Sequence, residues 1–232
     1  MSDPLARTPS SLFAAYAAPY LAYVLVAVPA QLPRDALAVY GARALIVTAA
    51  LAWFRGSYRP LRGAQPVAGS VALGALAGLV GAVLWIALLY PFRPAEATAW
   101  PDPAWAARAV VASALPPVFE ELLFRGYALP VALLWQRARA AGSATPFGDA
   151  FDRAVLGAVP AGAWSPLAVV LSSALFAAGH QPHEWLAAFA YGALMCALWI
   201  ARGDLVSCIS AHATTNAVLA LWVRASGEWM YW

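Results

Sequence analysis

The sequence predicts an all-α integral membrane protein, and its composition and the length of its apolar runs are the observations that predict it. Of the 232 residues, 63% are apolar and only 11% are charged, whereas a soluble domain carries about 25% charged residues. The apolar runs reach the roughly 20 residues that a transmembrane helix needs. We therefore expect a bundle of about seven transmembrane helices, or eight if the fourth span is divided, in a single domain over residues 1–232.

The first three spans are predicted at residues 12–30, 36–54 and 66–90, and residues 1–103 as a whole carry no catalytic motif. Val28-Pro29-Ala30 is similar to a signal-peptidase site. The apolar run around this site is longer than a usual signal core, so we expect the first helix to be retained.

Two features of these spans predict local structure. Arg43 lies close enough to one end of the second span for its guanidinium to snorkel toward the interface. Gly74, Gly78 and Gly81 place small residues along the third span. Such residues allow two membrane helices to approach closely.

The remaining spans lie in residues 104–223, where the candidate catalytic residues also lie. The fourth span is predicted from 104 to 135 with a kink at Pro116-Pro117, because proline removes a helix donor. The sequence allows either one bent helix or two pieces there. After a polar connection over residues 136–163, further spans are predicted at 164–180, 185–201 and 205–223.

The arginines of the loops predict the orientation in the membrane. With the N-terminus inside, the inner side holds Arg7, Arg55, Arg59, Arg62, Arg137, Arg139, Arg153 and Arg202, and the outer side holds Arg34, Arg93, Arg108 and Arg224. Because positive residues accumulate in cytoplasmic loops, this distribution favours a cytoplasmic N-terminus. The arginines are scattered between apolar segments and form no basic stripe, which argues against a nucleic-acid partner.

Three charged residues interrupt the fourth span within six positions: Glu120, Glu121 and Arg125. A charge at the centre of a bilayer helix costs ~2.5–3.5 kcal/mol, so such a cluster is functional by default; the alternative is a buried cluster that locks helices together. On a helix, Glu121 and Arg125 lie at i and i+4 on one face and can neutralise each other. Glu120 is rotated away without a local partner, which suits a general base.

The other candidate site residues lie on later spans. His180 closes the fifth span four residues after Phe176, and His212 lies inside the last span with Asn216 one turn later. If these residues converge with Glu120, the chemistry they permit is hydrolysis. Glu120 and His180 would activate a water, while His212 and Asn216 would bind the oxyanion. His212 and Asn216 alone would be equally consistent with interhelical hydrogen bonding.

Together these residues resemble the motifs of a known family. The motifs are Glu120-Glu121-x-x-x-Arg125, Phe176-x-x-x-His180 and His212-x-x-x-Asn216, in this order. They are similar to those of the intramembrane peptidases of the CAAX-protease and bacteriocin-processing (CPBP) family, which includes type II CAAX prenyl endopeptidases. The resemblance covers about half the chain.

The resemblance implies a role for each motif residue. It implies that Glu120 activates water with His180 as its partner, and that His212 and Asn216 bind the oxyanion. It implies structural support from Glu121, Arg125 and Phe176.

The cofactor stays open because the family has been described both as glutamate peptidases and as metallopeptidases. We favour the version without a cofactor, since the spacing gives no short metal signature. In the alternative, a catalytic zinc ion would be bound by Glu120, His180 and His212, because three such ligands plus water suit zinc.

The resemblance also implies the partners and the compartment. The substrate would be a membrane-embedded or lipid-linked peptide or protein in the bilayer. The compact chain resembles bacterial members, which implies a multi-pass protein of the bacterial inner (plasma) membrane. Two alternatives remain: a transporter or proton relay, since membrane Glu and His chains also mark such paths, and a catalytically inactive immunity or scaffold protein.

Overall fold

A computed structural model describes residues 9–26, 36–151 and 156–231, and among these residues it is helical and contains no strand. The first helices are α1 (Pro9–Leu25), α2 (Ala36–Phe54) and α3 (Val67–Leu89). The bounds of α2 and α3 agree with the predicted spans to within one residue, whereas α1 begins three residues before its predicted start. Residues 27–30 of the first span lie outside the described residues. The same holds for Val28-Pro29-Ala30 and for Arg7, Arg34 and Arg153 of the orientation argument.

The fourth predicted span is divided at its prolines. Helix α4 (Asp102–Ala114) ends before Leu115, and α5 (Pro116–Glu121) begins with two prolines at its first positions. Proline is tolerated there because the first helical N–H groups have no partner inside the helix. The sequence left open one bent helix or two pieces, and the structure has two.

A π-helix follows α5 directly and covers Leu122–Ala128. It passes into α6 (Leu129–Ala140), so the helix extends five residues beyond the predicted end at 135. Short π segments inside α-helices are rare and are frequently found at functional sites. The charged cluster therefore lies where the helical geometry is irregular.

The connection predicted as a polar loop over residues 136–163 is partly ordered and partly buried. Its first residues belong to α6, and a short helix α7 (Pro146–Ala150) follows. Ala150, Leu156 and Val159 are buried in the main apolar core. The prediction of a surface loop was wrong at these positions. The apolar residues of this segment alternate irregularly with polar ones, so the sequence shows no periodic pattern that would identify which of them pack into the core.

The last three helices are α8 (Pro166–Ala178), α9 (Trp185–Arg202) and α10 (Leu205–Ser226). The turn between α9 and α10 is short because each of its residues has a capping role. Gly203 ends α9 in the left-handed conformation at φ 62°. Asp204 then begins α10 by accepting a hydrogen bond from the Ser207 amide at 2.8 Å.

Helix α3 packs along α10 through its glycines. A Cβ on Gly74 or Gly78 would collide with backbone and side-chain atoms of α10, and a Cβ on Gly81 would lie 2.6 Å from the Tyr191 ring of α9. The expected close helix contact is thereby confirmed. It places α3 directly behind the part of α10 that carries His212 and Asn216.

Four of the described helical segments are long and apolar enough to cross a membrane: Ala36–Ser57, Val67–Phe92, Pro182–Arg202 and Leu205–Ser226. Two shorter apolar helices, Leu12–Leu25 and Pro166–Ala178, accompany them. The all-helical membrane class is confirmed, whereas the total of seven or eight spans stays a prediction.

Candidate active site

One cavity of about 420 Å³ contains the four side chains that the sequence predicts to be catalytic. Glu120 comes from the end of α5, His180 from the turn after α8, and His212 and Asn216 from α10. The predicted end of the fifth span is two residues too long, because α8 ends at Ala178 and Gly179 follows as its cap. Residues distant in sequence thus line one cavity.

His180 is held by a backbone carbonyl one turn earlier. Its Nδ1 lies 2.9 Å from the carbonyl oxygen of Phe176. A carbonyl can only accept, so the proton lies on Nδ1, and Nε2 of the neutral ring keeps its lone pair. The indole N–H of Trp185 donates to the His180 carbonyl at 3.1 Å and fixes the turn from the other side.

His212 lies between the two carboxylates of the motif. Its Nδ1 is 3.0 Å from Oε1 of Glu121, and its Nε2 is 3.9 Å from Oε2 of Glu120. The first distance is a hydrogen bond in which the imidazole donates, whereas the second is too long for one. Glu121 therefore orients the ring, and Nε2 faces Glu120 inside the cavity.

Glu121 and Arg125 form the predicted ion pair, completely buried, with 3.3 Å between Nη1 and the carboxylate. Arg125 also donates to the carbonyl of Gly192 on α9 at 2.9 Å. The prediction of a pair between these two residues is confirmed. It was incomplete, because Glu121 also binds His212 on another helix, and i,i+4 spacing reveals contacts within one helix only.

Asn216 has a partner that the sequence did not predict. Its side-chain nitrogen donates to the carbonyl of Ala112 on α4 at 2.8 Å. An amide nitrogen has two hydrogens, so one holds α4 and the other can donate into the cavity.

Phe176 contacts both histidines and the buried arginine. Its ring centroid lies 4.7 Å from that of His180 and 5.9 Å from that of His212. The guanidinium carbon of Arg125 lies 4.9 Å from the same ring. This one ring therefore contacts both the arginine of the ion pair and the cavity.

Sequence reasoning missed several residues that line the cavity, among them Tyr23, Trp85, Tyr191 and Thr215. Tyr191 packs its ring against His212 at 5.6 Å and donates to Thr215 Oγ1 at 3.1 Å, and Thr215 donates to the carbonyl of Gly78 at 2.8 Å. Aromatic residues in apolar spans carry no signal in the sequence that separates them from ordinary core residues.

Arg43 departs from the expected snorkelling position. Its side chain is buried inside the protein, where it lines the same cavity. The expectation was wrong because Tyr23 and Tyr40 hold the guanidinium in place. The charge of Arg43 within an apolar span was a signal that could have placed it in the site.

The candidate zinc ligands are Glu120, His180 and His212. Among the residues that the structure describes, no three His, Cys, Asp or Glu side chains lie together as a metal site would require. Cys196 and Cys208 are buried and free, as expected of small core residues.

The fold and the cavity define a class: a multi-pass helical membrane protein with carboxylates and imidazoles gathered in an internal space. The family model described as "Type II CAAX prenyl endopeptidase Rce1-like" matches residues 102–218, which is 117 of the 232 residues and contains all of the motifs. The chain belongs to this family of membrane proteases. No curated protein and no solved structure matches the chain.

Proposed function

We propose that the chain is an intramembrane endopeptidase of the CAAX type, which hydrolyses a peptide bond in a membrane-embedded or lipid-linked protein or peptide. The observation that carries this proposal is the common cavity of Glu120, His180, His212 and Asn216. Membership of a protease family supports the general activity.

In the proposed first step, Glu120 takes a proton from a water molecule and the oxygen attacks the carbonyl carbon of the substrate. The free Nε2 of His180 accepts a hydrogen bond from that water and orients it. The attacking water is therefore one that lies between Glu120 and His180, which line the same cavity.

The oxyanion that then forms needs hydrogen-bond donors already in place. Asn216 supplies one N–H while its other N–H stays on Ala112. His212 donates through Nε2 when its ring is the imidazolium, since Nδ1–H stays on Glu121, whose negative charge lies 3.0 Å away. Preorganised donors of this kind are worth ~2.7–4 kcal/mol each when removed singly.

In the last step, the protonated Glu120 gives its proton to the leaving nitrogen as the C–N bond breaks. The products are a carboxylic acid and an amine, and Glu120 returns to its ionised form. No step requires a covalent enzyme intermediate, and none is routed through a metal ion. Elemental analysis of the active protein tests this directly, because the glutamate mechanism predicts activity without a bound zinc ion.

The proposed location is the bacterial plasma membrane, with the N-terminus in the cytoplasm. The arginines of the loops support this orientation. Arg108 no longer belongs to that argument, because it lies on α4 and lines the cavity. Reporter fusions at the two ends of α9, at residues 183 and 203, would test it.

The experiment that tests the function is a comparison of the membrane proteomes of cells that carry the wild-type chain and cells that carry Glu120→Gln. If the chain is a hydrolase, new peptide termini should occur only in the cells that carry the wild-type chain. A proton relay or an inactive scaffold predicts identical termini in the two strains.

A further inference from the structure

Arg43 lines the cavity, and the proposed mechanism does not use its charge. It lies on α2, outside the stretch that matches the family. Its side chain is 8% exposed, so it is buried for more than nine-tenths of its surface. It lines the same cavity as Glu120, His180 and Asn216.

The contacts of Arg43 fix its position but leave its charge unbalanced. Nε donates to the carbonyl of Tyr23 at 2.9 Å. The guanidinium carbon lies 3.9 Å from the centroid of the Tyr23 ring and 4.9 Å from that of Tyr40. No carboxylate among the described residues forms an ion pair with it. Buried charges are normally paired, because leaving one unpaired is costly.

The cavity carries charges of both signs besides that of Arg43. Arg108 of α4 lines it, with its guanidinium carbon 4.9 Å from the Trp100 ring centroid, and so do Glu120 and Glu184. Arg43 and the proposed general base therefore share one cavity.

We propose that Arg43 is an anion-binding residue for the substrate, and that it pairs with a carboxylate carried by the peptide segment in the cavity. Arginine presents a planar fork of donors that matches the geometry of a carboxylate, and its Nη groups are the ones that Tyr23 leaves available. A cavity of about 420 Å³ has room for a short segment only. The carboxylate must therefore lie within a few residues of the scissile bond, either at a free C-terminus or on an acidic side chain. This inference rests on the proposed function.

The test is equilibrium binding of short peptides to the purified protein in a neutral detergent. The first pair of probes is N-acetyl-Leu-Leu-Leu as the free acid and as the C-terminal amide. The second pair is N-acetyl-Leu-Leu-Asp-amide and its Asn counterpart. We expect the charged member of at least one pair to bind about tenfold more tightly than its neutral partner, since hydrogen bonds to charged groups are the strong ones. The pair that shows the preference identifies the source of the carboxylate.

Variants assign that preference to Arg43. In Arg43→Gln the charged and neutral probes should bind equally, and in Arg43→Lys part of the preference should remain. Arg55→Gln is the matched control, because Arg55 lies just beyond α2, is exposed and only donates to the Ala52 carbonyl. It should keep the full preference.

Equal binding of both members in both pairs, or no binding of any probe at millimolar concentration, overturns the inference, and so does a preference that survives in Arg43→Gln. The comparison of probes on the wild type needs no variant, so it stands even if Arg43→Gln does not fold. Binding needs no turnover, so equal binding of the probes would leave the proposed hydrolysis intact. Likewise, identical peptide termini in the wild-type and Glu120→Gln strains would leave the measured binding preference intact.

Discussion

Nδ1 of His212 lies 3.0 Å from Oε1 of Glu121, so the carboxylate that pairs with Arg125 also holds the imidazole of another helix. This relationship connects the charged cluster of the π-helix region to α10. Glu121 and Arg125 therefore contact the site as well as the core, because the carboxylate that Arg125 holds is also the hydrogen-bond partner of His212.

Arg125→Ala is expected to destabilise the protein strongly. It leaves the Glu121 carboxylate buried with only His212 as a partner, and breaking a buried pair costs ~3–5 kcal/mol. Thermal unfolding in detergent measures the effect. Arg224→Ala is the matched control, since its pair with Asp102 at 2.8 Å is exposed and such pairs are worth less than ~1 kcal/mol. Equal unfolding temperatures for the two variants would contradict the structural role of Arg125.

Asn216→Ala is expected to lower kcat by ~10²–10³ with little change in KM, because an oxyanion donor acts in the transition state. The assay uses a membrane peptide identified by the proteomic comparison. Trp105→Phe controls for a looser packing of α4 on α10, since the Trp105 indole donates to the Ala220 carbonyl at 3.1 Å. It should retain kcat. An effect of Asn216→Ala on KM alone would place Asn216 in substrate binding.

His180→Gln is expected to reduce turnover by ~10² or more, since glutamine cannot supply a ring nitrogen to orient the water. His183→Gln is the control, because His183 lies three residues further on in the same turn and does not line the cavity. Similar losses in both variants would point to a disturbed turn and would remove His180 from the mechanism.

Gly78→Ala is expected to disturb the packing of α3 against the segment of α10 that carries His212. Its new Cβ would lie 2.5 Å from the Ala211 carbonyl and 2.6 Å from Thr214 Cβ, so α3 must move away from α10 next to His212. Overpacking of this kind costs ~1–3 kcal/mol. At Gly41 of α2 nothing lies within 4 Å of a Cβ, and Gly41→Ala should be neutral or stabilising by about 0.5–1 kcal/mol. The unfolding temperatures of the two variants test both expectations. An unchanged unfolding temperature for Gly78→Ala would contradict the close packing of α3 on α10.

The sequence predicted those parts of the structure that depend on local patterns. The apolar runs predicted α2, α3 and α9 to within one residue and the end of α10 to within three. The i,i+4 spacing predicted the pair of Glu121 and Arg125. The cost of a membrane charge pointed to Glu120 as a site residue, and the structure places it in the cavity.

What the sequence missed depends on contacts between distant helices. The bond from Glu121 to His212 spans 91 residues, and that from Asn216 to Ala112 spans 104. Arg43 was expected at the interface because its position near a span end says nothing about the tyrosines around it. Such contacts arise from tertiary packing, and no periodicity within one segment encodes them.

In the proposed mechanism Glu120 activates the attacking water, and the turnover of Glu120→Gln on the identified peptide measures this role most directly. Because glutamine has nearly the same shape and cannot accept the proton, we expect turnover to fall by ~10²–10⁴ while the unfolding temperature stays close to that of the wild type. Turnover at the wild-type rate by a well-folded Glu120→Gln protein would contradict the account.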